Sequence, residues 1–301
     1  MNLKNKTLLF IYNHLKQELA NKSKVTINVA HPDNLKDAIS LKSWQNLAEF
    51  LSCKLCIPKE LNKNEIALTF KKLNPKNSFH IQKIEDKKEK YGVDSTFFNL
   101  DKMKESSFLL YYLKALEAVD VAKREHILNL GINKADEFWL IKEIISKEEF
   151  RKLTFSGIDH SKSAIEYAKK RFPQSNMHFF QADINKLKEL NLQKADLIIS
   201  IGTLQSPSIN YKPFLMELVQ QHLKENGALI LGFPNSRWID RELIYGAKVP
   251  NYSFSEMGLV CSDIMFAKKY LQQKKFRVTI TGKDYLFITA TKISPKPKKH
   301  F

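Results

Sequence analysis

Cysteine is rare in this 301-residue sequence: the three residues are Cys53, Cys56 and Cys261, and so small and odd a number argues against a disulfide framework. No apolar run approaches the roughly 20 residues that a membrane-spanning helix requires. The first apolar run, residues 8–12, is also shorter than the apolar part of a signal peptide, which has roughly 7–15 residues. We therefore expect a cytoplasmic protein without membrane contact.

Arginine is rare too, because only six of the 49 basic side chains are arginines. The bidentate guanidinium group is favoured at specific nucleic-acid sites, so its scarcity argues against extensive base recognition. The net charge is nevertheless +17, and it is spread along the chain: residues 1–100 hold 17 lysines against ten acids. A basic balance attracts phosphate without sequence specificity, so the charge leaves nucleic-acid binding open.

Metal ligands in a suitable cluster are also scarce. Cys53 and Cys56 have the spacing of a metal-binding pair, but a structural zinc site needs four ligands and there is no second cysteine pair. His31 or His80 could complete such a site. The simpler interpretation is that both cysteines are buried on a helix, and we expect no metal.

The first 90 residues are predicted to form a small α+β domain. Apolar residues recur at helical spacing over residues 6–19, and Ser40 is a suitable N-cap for a second helix that continues toward Pro58. Residues 25–29 and 65–70 read as strands. Polar residues then dominate residues 74–89, which indicates a boundary. We assign residues 1–90 to an accessory, substrate-recognition domain and residues 91–301 to a second domain.

The second domain alternates between strand and helix patterns. Strands are predicted at residues 127–130, 154–158, 177–181, 195–201 and 228–233, with helical segments between them. A helix over residues 263–274 then precedes two strands, 276–281 and 285–291, joined by a short turn. Such alternation predicts right-handed βαβ units. The expected fold class is α/β, with a seven-stranded, mostly parallel sheet that ends in an antiparallel hairpin.

Three predicted strands end in residues suited to a nucleoside. Gly131 follows the first strand, and a glycine turn lets the backbone approach a ligand. Asp159 closes the next strand, where an acid suits ribose hydroxyls, and Asp183 closes the third. Because the carboxyl ends of parallel strands lie along one edge of a sheet, these residues outline one site. Each aspartate could instead be a helix cap.

These motifs, in this order and spacing, resemble class I S-adenosylmethionine-dependent methyltransferases, which have a Rossmann-like sheet with a terminal hairpin. The resemblance covers residues 106–293. It implies methyl transfer with S-adenosyl-L-methionine as the cofactor. The methionine part would lie at the glycine turn, the ribose at Asp159 and the adenine at Asp183, with the end of the fourth strand facing the sulfonium. The cofactor-binding residues it implies are Asn129, Gly131, Asn133, Asp136, Asp159, Ala182, Asp183, Ile184, Ser200, Ile201 and Gly202.

The glycine-rich motif departs from the family pattern. Asn129 replaces the usual acid, and Asn133 and Ala135 replace the second and third glycines. Asparagine tolerates a left-handed backbone better than other non-glycine residues, and alanine adds only one methyl group. Asp136 or Glu137 would then be the partner of the methionine amino group. The alternative is a catalytically silent module that binds the cofactor or RNA.

A dinucleotide-dependent dehydrogenase is the competing interpretation of the same strand ends. Its fingerprint has three glycines followed by an acid about 20 residues later. Only Gly131 is present here, and Asp159 lies 28 residues further on. The terminal hairpin is not typical of dehydrogenases either, so we favour the methyltransferase interpretation.

Residues 233–254 interleave aromatic and basic side chains after the fifth strand. Such a mixture can stack bases and bind phosphate, although it also suits an ordinary lid packed on the sheet. We predict substrate binding by Arg237, Trp238, Arg241 and Tyr252, and we consider three residues as candidates for orienting the acceptor, namely Asn235, Asp240 and Tyr245. RNA is the preferred acceptor, and a small molecule is the alternative.

The sequence of the turn after the fourth strand argues against two classes of methyl acceptor. Residues 200–207 lack the Asn/Asp-Pro-Pro-aromatic motif of exocyclic-amine methylases. They also lack the cysteine that carbon-5 pyrimidine methylation requires. Neither acceptor class is expected.

Overall fold

The computed structural model describes residues 1–78, 87–247 and 256–293. The chain forms two compact units. One comprises Met1–Gln82 and Trp238–Tyr245, and the other comprises Lys83–Arg237 and Gly246–Phe301. No helix in the described ranges has both the length and the apolarity that crossing a bilayer requires.

The first unit packs two helices on a four-stranded sheet. Its elements are α1 (Leu8–Asn21), β1 (Lys24–Ala30), α2 (Leu41–Phe50), β2 (Cys53–Leu55), β3 (Lys59–Asn62) and β4 (Glu65–Lys72). The central strand β4 pairs antiparallel with β1 and also with β2 and β3. Thr7 and Ser40 cap the two helices as acceptors of backbone N–H groups. Both predicted helices and both predicted strands of this region are present, but the second helix ends earlier than predicted.

The prediction that both cysteines lie on a helix is wrong. The helix α2 ends at Phe50, and Ser52 adopts a left-handed backbone with φ +53° that turns the chain into β2 well before Pro58. Cys53 is buried in that strand, whereas Cys56 is partly exposed, and both are free thiols. Within the described ranges, no three His, Cys, Asp or Glu side chains form a potential metal cluster.

The second unit follows the predicted alternation. The helices and strands from residue 106 onward are α3 (Ser106–Ala118), β5 (His126–Leu130), α4 (Asp136–Ile144), α5 (Lys147–Lys152), β6 (Thr154–Asp159), α6 (Lys162–Arg171), β7 (Met177–Gln181), β8 (Ala195–Ile201), α7 (Tyr211–Glu217), β9 (Leu223–Pro234), β10 (Ser236–Ile239), β11 (Glu242–Tyr245), α8 (Gly258–Gln273), β12 (Phe276–Gly282) and β13 (Tyr285–Lys292). The short strands β10 and β11 form a separate ribbon, most of which groups with the first unit.

Seven strands form one sheet in the order β12-β13-β9-β8-β5-β6-β7. The strands from β9 to β7 are parallel, whereas β13 runs antiparallel to both β9 and β12. This topology confirms the predicted fold class. It also places β5 next to both β6 and β8, so the carboxyl ends of these three strands lie side by side.

Helices cover both faces of this sheet, and two apolar cores result. All five residues of β5 are buried, as expected for a central parallel strand. Ile127 contributes to one core, and Leu128 and Leu130 contribute to the other. The last turn before β9 is a π-helix, Leu218–His222, and β9 begins earlier than predicted, at Leu223.

Candidate cofactor site at the carboxyl ends of the parallel strands

The turn after β5 begins at Gly131, which has φ +78°. The N–H groups of Gly131 and Ile132 both donate to the carbonyl of Ile158, at 2.8 and 3.0 Å. A Cβ atom on residue 131 would lie 2.0 Å from Oγ1 of Thr203, in the loop after β8. Glycine is therefore required here by backbone conformation and by space.

The next two positions of the motif keep a glycine-type backbone without glycine. Asn133 has φ +45° and Ala135 has φ +58°, so residues 131, 133 and 135 are all left-handed. The N–H of Ala135 donates to the carbonyl of Ile132, which closes the turn, and α4 begins at the following residue. Left-handed conformation costs a non-glycine residue roughly 1–2 kcal/mol. The turn has thus kept its shape at an energetic cost.

Asp159 ends β6 and organises the neighbouring loops. Its Oδ2 accepts the backbone N–H of Asn133 at 3.0 Å, and its Oδ1 accepts that of Ser161 at 2.9 Å. The residue is only 5% exposed, and this burial raises the pKa of the carboxyl group. Each carboxylate oxygen can accept more than one hydrogen bond, so the group retains capacity for ribose hydroxyls.

Asp183 lies in the next loop and is exposed. Its Oδ1 accepts the backbone N–H of Asn185 at 2.9 Å, so it caps the 3-10 helix Ile184–Leu190. Its Oδ2 has no partner among the residues that the structure describes. The backbone N–H of Ala182 donates to the carbonyl of Asp159 at 2.9 Å, which joins this loop to the end of β6. Capping is thus confirmed, and adenine binding by Asp183, Ala182 and Ile184 stays a prediction.

The hydrogen bonding of the Asn129 side chain indicates whether the site suits the methionine part of the cofactor. The residue is 1% exposed, and its Nδ2 has no hydrogen-bond partner among the described residues. A buried, unpaired amide is costly, and a ligand acceptor would relieve that cost. Beside it, Oγ of Ser200 lies 3.4 Å from the carbonyl of Leu130. The residues present therefore fit a ligand with acceptor groups at this position.

Ile201 and Gly202 complete the edge at the end of β8. Gly202 has φ +72°, and its N–H donates to the carbonyl of Gly232 in β9 at 2.8 Å. Ile201 is buried beneath it. The predicted loop opposite the reacting sulfonium therefore has a fixed backbone. Its contact with the cofactor stays a prediction.

The two acids that follow the turn are held by basic side chains. Arg171 donates to Oδ1 of Asp136 at 2.6 Å, and Lys134 lies 3.9 Å from the other oxygen. Glu137 is paired with Lys102. Both acids are buried. Asp136 was predicted to contact the cofactor, and the structure places its carboxylate in this ion pair.

The sequence analysis missed a segment that covers the turn, residues 89–102, which we call the strap. Glu89 accepts hydrogen bonds from the Ser161 hydroxyl at 2.8 Å and the Lys162 N–H at 2.8 Å, at the start of α6. The carbonyl of Tyr91 accepts the Asn133 side-chain amide at 2.7 Å. The strap is therefore fastened to both the Asp159 loop and the glycine-type turn.

Aromatic contacts fix the strap further. The Tyr91 ring meets Phe97 edge-on, with centroids 5.0 Å apart, and it lies 6.1 Å from the ring of His160. Phe98 meets Tyr167 of α6 in the same way, at 5.0 Å. Burial raises the pKa of Tyr91, which stays neutral. The only feature of the sequence that could have indicated the strap is this cluster of aromatic residues directly after a polar stretch.

The predicted acceptor residues of the second unit have structural contacts. Asn235 is buried, its N–H donates to the carbonyl of Asp284 at 2.9 Å, and its Nδ2 donates to the carbonyl of Lys283 at 3.0 Å. It thereby ties the end of β9 to the β12–β13 turn, while its Oδ1 remains without a partner among the described residues. The Arg237 guanidinium donates to the carbonyl of Gly246 at 2.9 Å, and burial lowers its pKa.

The other candidates belong to the ribbon that groups with the first unit. Asp240 and Arg241 form its turn, with φ +52° and +66°, and Oδ1 of Asp240 accepts the side-chain amide of Asn77 at 2.8 Å. Trp238 is buried, whereas Tyr245 is 43% exposed. Tyr252 lies outside the described residues. The structure therefore does not bring the predicted acceptor residues together within one unit, and their roles stay predictions.

Comparison with known proteins gives an independent identification. A family model described as a methyltransferase domain matches residues 122–284, which is more than half of the chain. The match begins before β5 and ends in the β12–β13 turn. Comparison with curated proteins gives no match.

Solved structures resemble the chain at low sequence identity. The N-methyltransferase NodS from Bradyrhizobium japonicum WM9 is 13% identical with a TM-score of 0.43, over 64% of this chain and 99% of that one. The ribosomal protein L11 methylase from Lactobacillus delbrueckii subsp. bulgaricus is 11% identical with a TM-score of 0.42, over 65% and 83%. The family match shows that the chain belongs to the methyltransferase domain family and is an S-adenosylmethionine-dependent enzyme.

Proposed function

We propose that this enzyme methylates RNA in the cytoplasm. The observation that carries the proposal is the positive charge of the N-terminal part of the chain. Residues 1–100 contain 17 lysines and ten acidic residues. The chain also runs from β9 into a ribbon with an exposed Arg241, and most of that ribbon groups with the basic first unit. Free thiols at all three cysteines suit the cytoplasm.

The residues of the strand-end site would hold the cofactor as follows. Asp159 would accept hydrogen bonds from the ribose hydroxyls, and Asp183 would accept one from the adenine amine. The Asn129 amide would donate a hydrogen bond to the methionine carboxylate. Gly131 lets the backbone approach the ligand. The cofactor supplies an electrophilic methyl group on a positively charged sulfur.

Catalysis then depends mainly on positioning. The bound cofactor would supply the methyl group to an acceptor lone pair, and its sulfur would leave with the electrons of the carbon–sulfur bond. Such an in-line displacement is accelerated when the two reactants are held in line. A general base is needed only where the acceptor loses its proton early, so the lack of an assigned base is compatible with turnover. The strap would help to exclude water from the cofactor.

The test is transfer of a radioactive methyl group from labelled S-adenosylmethionine. Total RNA and a protein-free small-molecule extract are offered separately to the full chain. We expect label in RNA and loss of that label in an Asp159→Ala variant. RNA labelling should also fall steeply with added salt, because phosphate contacts release counterions. Label confined to the small-molecule extract would overturn the RNA proposal, and no label in either would favour a silent binding module.

A further inference from the structure

We infer that the open face of the first unit's sheet binds the sugar–phosphate backbone of RNA through a row of three lysines. The inference rests on the proposed RNA substrate and adds a binding surface to it. In β1 and β4, Lys24 is directly opposite Lys71, and in β2, Lys54 is directly opposite the same Lys71. We call these three residues the lysine row.

The lysine row points away from the core of the unit. The residues next to it in sequence, Val25, Leu55 and Phe70, occupy the opposite face, where they pack with α1 and α2. Since side chains alternate between the faces of a strand, all three lysines share the face without helices. All three are exposed.

Three like charges directly opposite one another are unfavourable for a sheet. Glu242 compensates one of them, because it forms an ion pair with Lys54, and its hydrogen bond raises the pKa of that amine. Lys24 and Lys71 have no acidic partner within 4.0 Å among the described residues. Two adjacent positive charges therefore lack compensation in the chain itself.

A nucleic-acid backbone supplies the missing charge in a matching form. Adjacent strands are about 4.8 Å apart, so the row is about 10 Å long, enough to contact more than one phosphate of a strand. The hydroxyls of Thr26 and Thr69, two residues further along the same face, are hydrogen-bonded at 2.9 Å and add polar groups beside the row. Lysine contacts phosphate as a point charge, so recognition of the backbone rather than of bases is expected.

The test uses the full chain and a fluorescent 20-nucleotide single-stranded RNA, with affinity measured by anisotropy. The variant K24Q/K54Q/K71Q is compared with K36Q/K42Q/K63Q, which removes the same charge from three exposed lysines elsewhere in the unit. We expect the row variant to bind at least tenfold more weakly than the control. The slope of log K against log salt should fall by about 2 in magnitude, or roughly 0.7 for each lost phosphate contact.

A gain-of-affinity variant checks the same surface without depending on loss of binding. Glu242→Gln should release Lys54 and strengthen RNA binding severalfold, whereas Asp37→Asn, which removes one negative charge elsewhere in the unit, should change it less. Equal losses in the two triple variants would overturn the inference. Row-dependent binding of polyglutamate or anionic vesicles that exceeds RNA binding would do the same.

The labelling experiment separates this inference from the proposed function. If RNA is methylated while the two triple variants bind it alike, the lysine row is refuted and the function stands. If no RNA is methylated but the row variant alone loses affinity for RNA, the function is refuted and the row stands. Thermal unfolding of the two triple variants and of Asp37→Asn should match wild type, because every side chain substituted in them is exposed.

Discussion

Single residues shape the turn after β5, in which only one of three left-handed positions is a glycine. Gly131, Asn133 and Ala135 are left-handed in succession. The Asn133 amide donates to Tyr91, and its backbone N–H donates to Asp159. These hydrogen bonds offset part of the strain that a non-glycine residue has in this conformation. The turn is therefore held by its neighbours rather than by glycine alone.

Substitution of Ala135 is the clearest test of whether a single residue of the turn is strained. Replacing Ala135 by valine should lower the free energy of unfolding by about 2–4 kcal/mol, because a β-branched residue is strained at φ +58° and the larger side chain would be inserted at a fully buried position. Chemical denaturation measures this change. Ala135→Gly is the control and should lie within about 1 kcal/mol of wild type, since relief of strain opposes lost burial and greater freedom of the unfolded chain. Equal effects of the two variants would show that residue 135 is not strained.

Asp159 gives a pH-dependent prediction. Because burial raises the pKa of Asp159, the carboxyl group gains a proton at a higher pH than an exposed aspartate does. The affinity for S-adenosylhomocysteine should fall as pH is lowered through this raised pKa, since the protonated group is a poorer acceptor of ribose hydroxyls. Calorimetric titration across this range measures the effect.

The Asp159→Asn variant is the reference for that titration. It should bind more weakly at neutral pH and show no loss over the same range. The native state of the wild type binds the proton more readily than the unfolded chain, so its stability relative to the variant should rise on acidification. An affinity that is identical at every pH in the two proteins would exclude ribose binding by Asp159.

Among the elements, the strap is the one whose structure was least predictable from the sequence, and Glu89 is central to its attachment. Burial acts to raise the pKa of Glu89, but hydrogen bonds from Ser163, Ser161 and the backbone outweigh it, so the pKa is lowered. The carboxylate therefore stabilises the folded state above its ordinary pKa and loses this contribution as pH falls through the lowered value. Strap attachment is thus expected to weaken in acid.

Hydrogen exchange tests the strap. Glu89→Ala should speed amide exchange in residues 89–102 and in the first turn of α6, because the acceptor of several N–H and O–H groups is lost. Glu149→Ala is the matched control, since Glu149 caps α5 through a capping box with Ser146. It should speed exchange at α5 only. Unchanged strap exchange in Glu89→Ala would show that other contacts hold the strap.

Elements with strong periodicity were predictable from sequence, and irregular ones were not. The β5 and β8 strands are mostly apolar and almost wholly buried, and Ser40 and Ser161 mark helix starts by their capping chemistry. The strap consists of turns and 3-10 helices whose order comes from long-range contacts, so a local pattern reads it as a linker. The end of α2 was misplaced because no local signal identifies the left-handed Ser52.

At the scale of the whole molecule, the sequence predicted a seven-stranded, mostly parallel sheet with a terminal antiparallel hairpin, and the structure confirms it. Strand-to-acid spacing placed Asp159 and Asn133 in one site, and their backbone contact is observed. The grouping of Trp238–Tyr245 with the first unit could not be predicted, because it depends on contacts such as Asp240 with Asn77 that are far apart in sequence. Composition shows that the chain is basic, but only the strand register shows that Lys24, Lys54 and Lys71 lie side by side.

We expect the altered glycine turn to form a working cofactor site. The most direct measurement is isothermal titration of the full chain with S-adenosylhomocysteine, together with Asp159→Ala and the exposed control Asp37→Ala. We predict saturable binding to wild type and to the control, with at least a tenfold weaker affinity in Asp159→Ala, since lost hydrogen bonds to a charged group are worth about 1.5–3 kcal/mol. Absence of binding heat in wild type, or undiminished affinity in Asp159→Ala, would contradict the account.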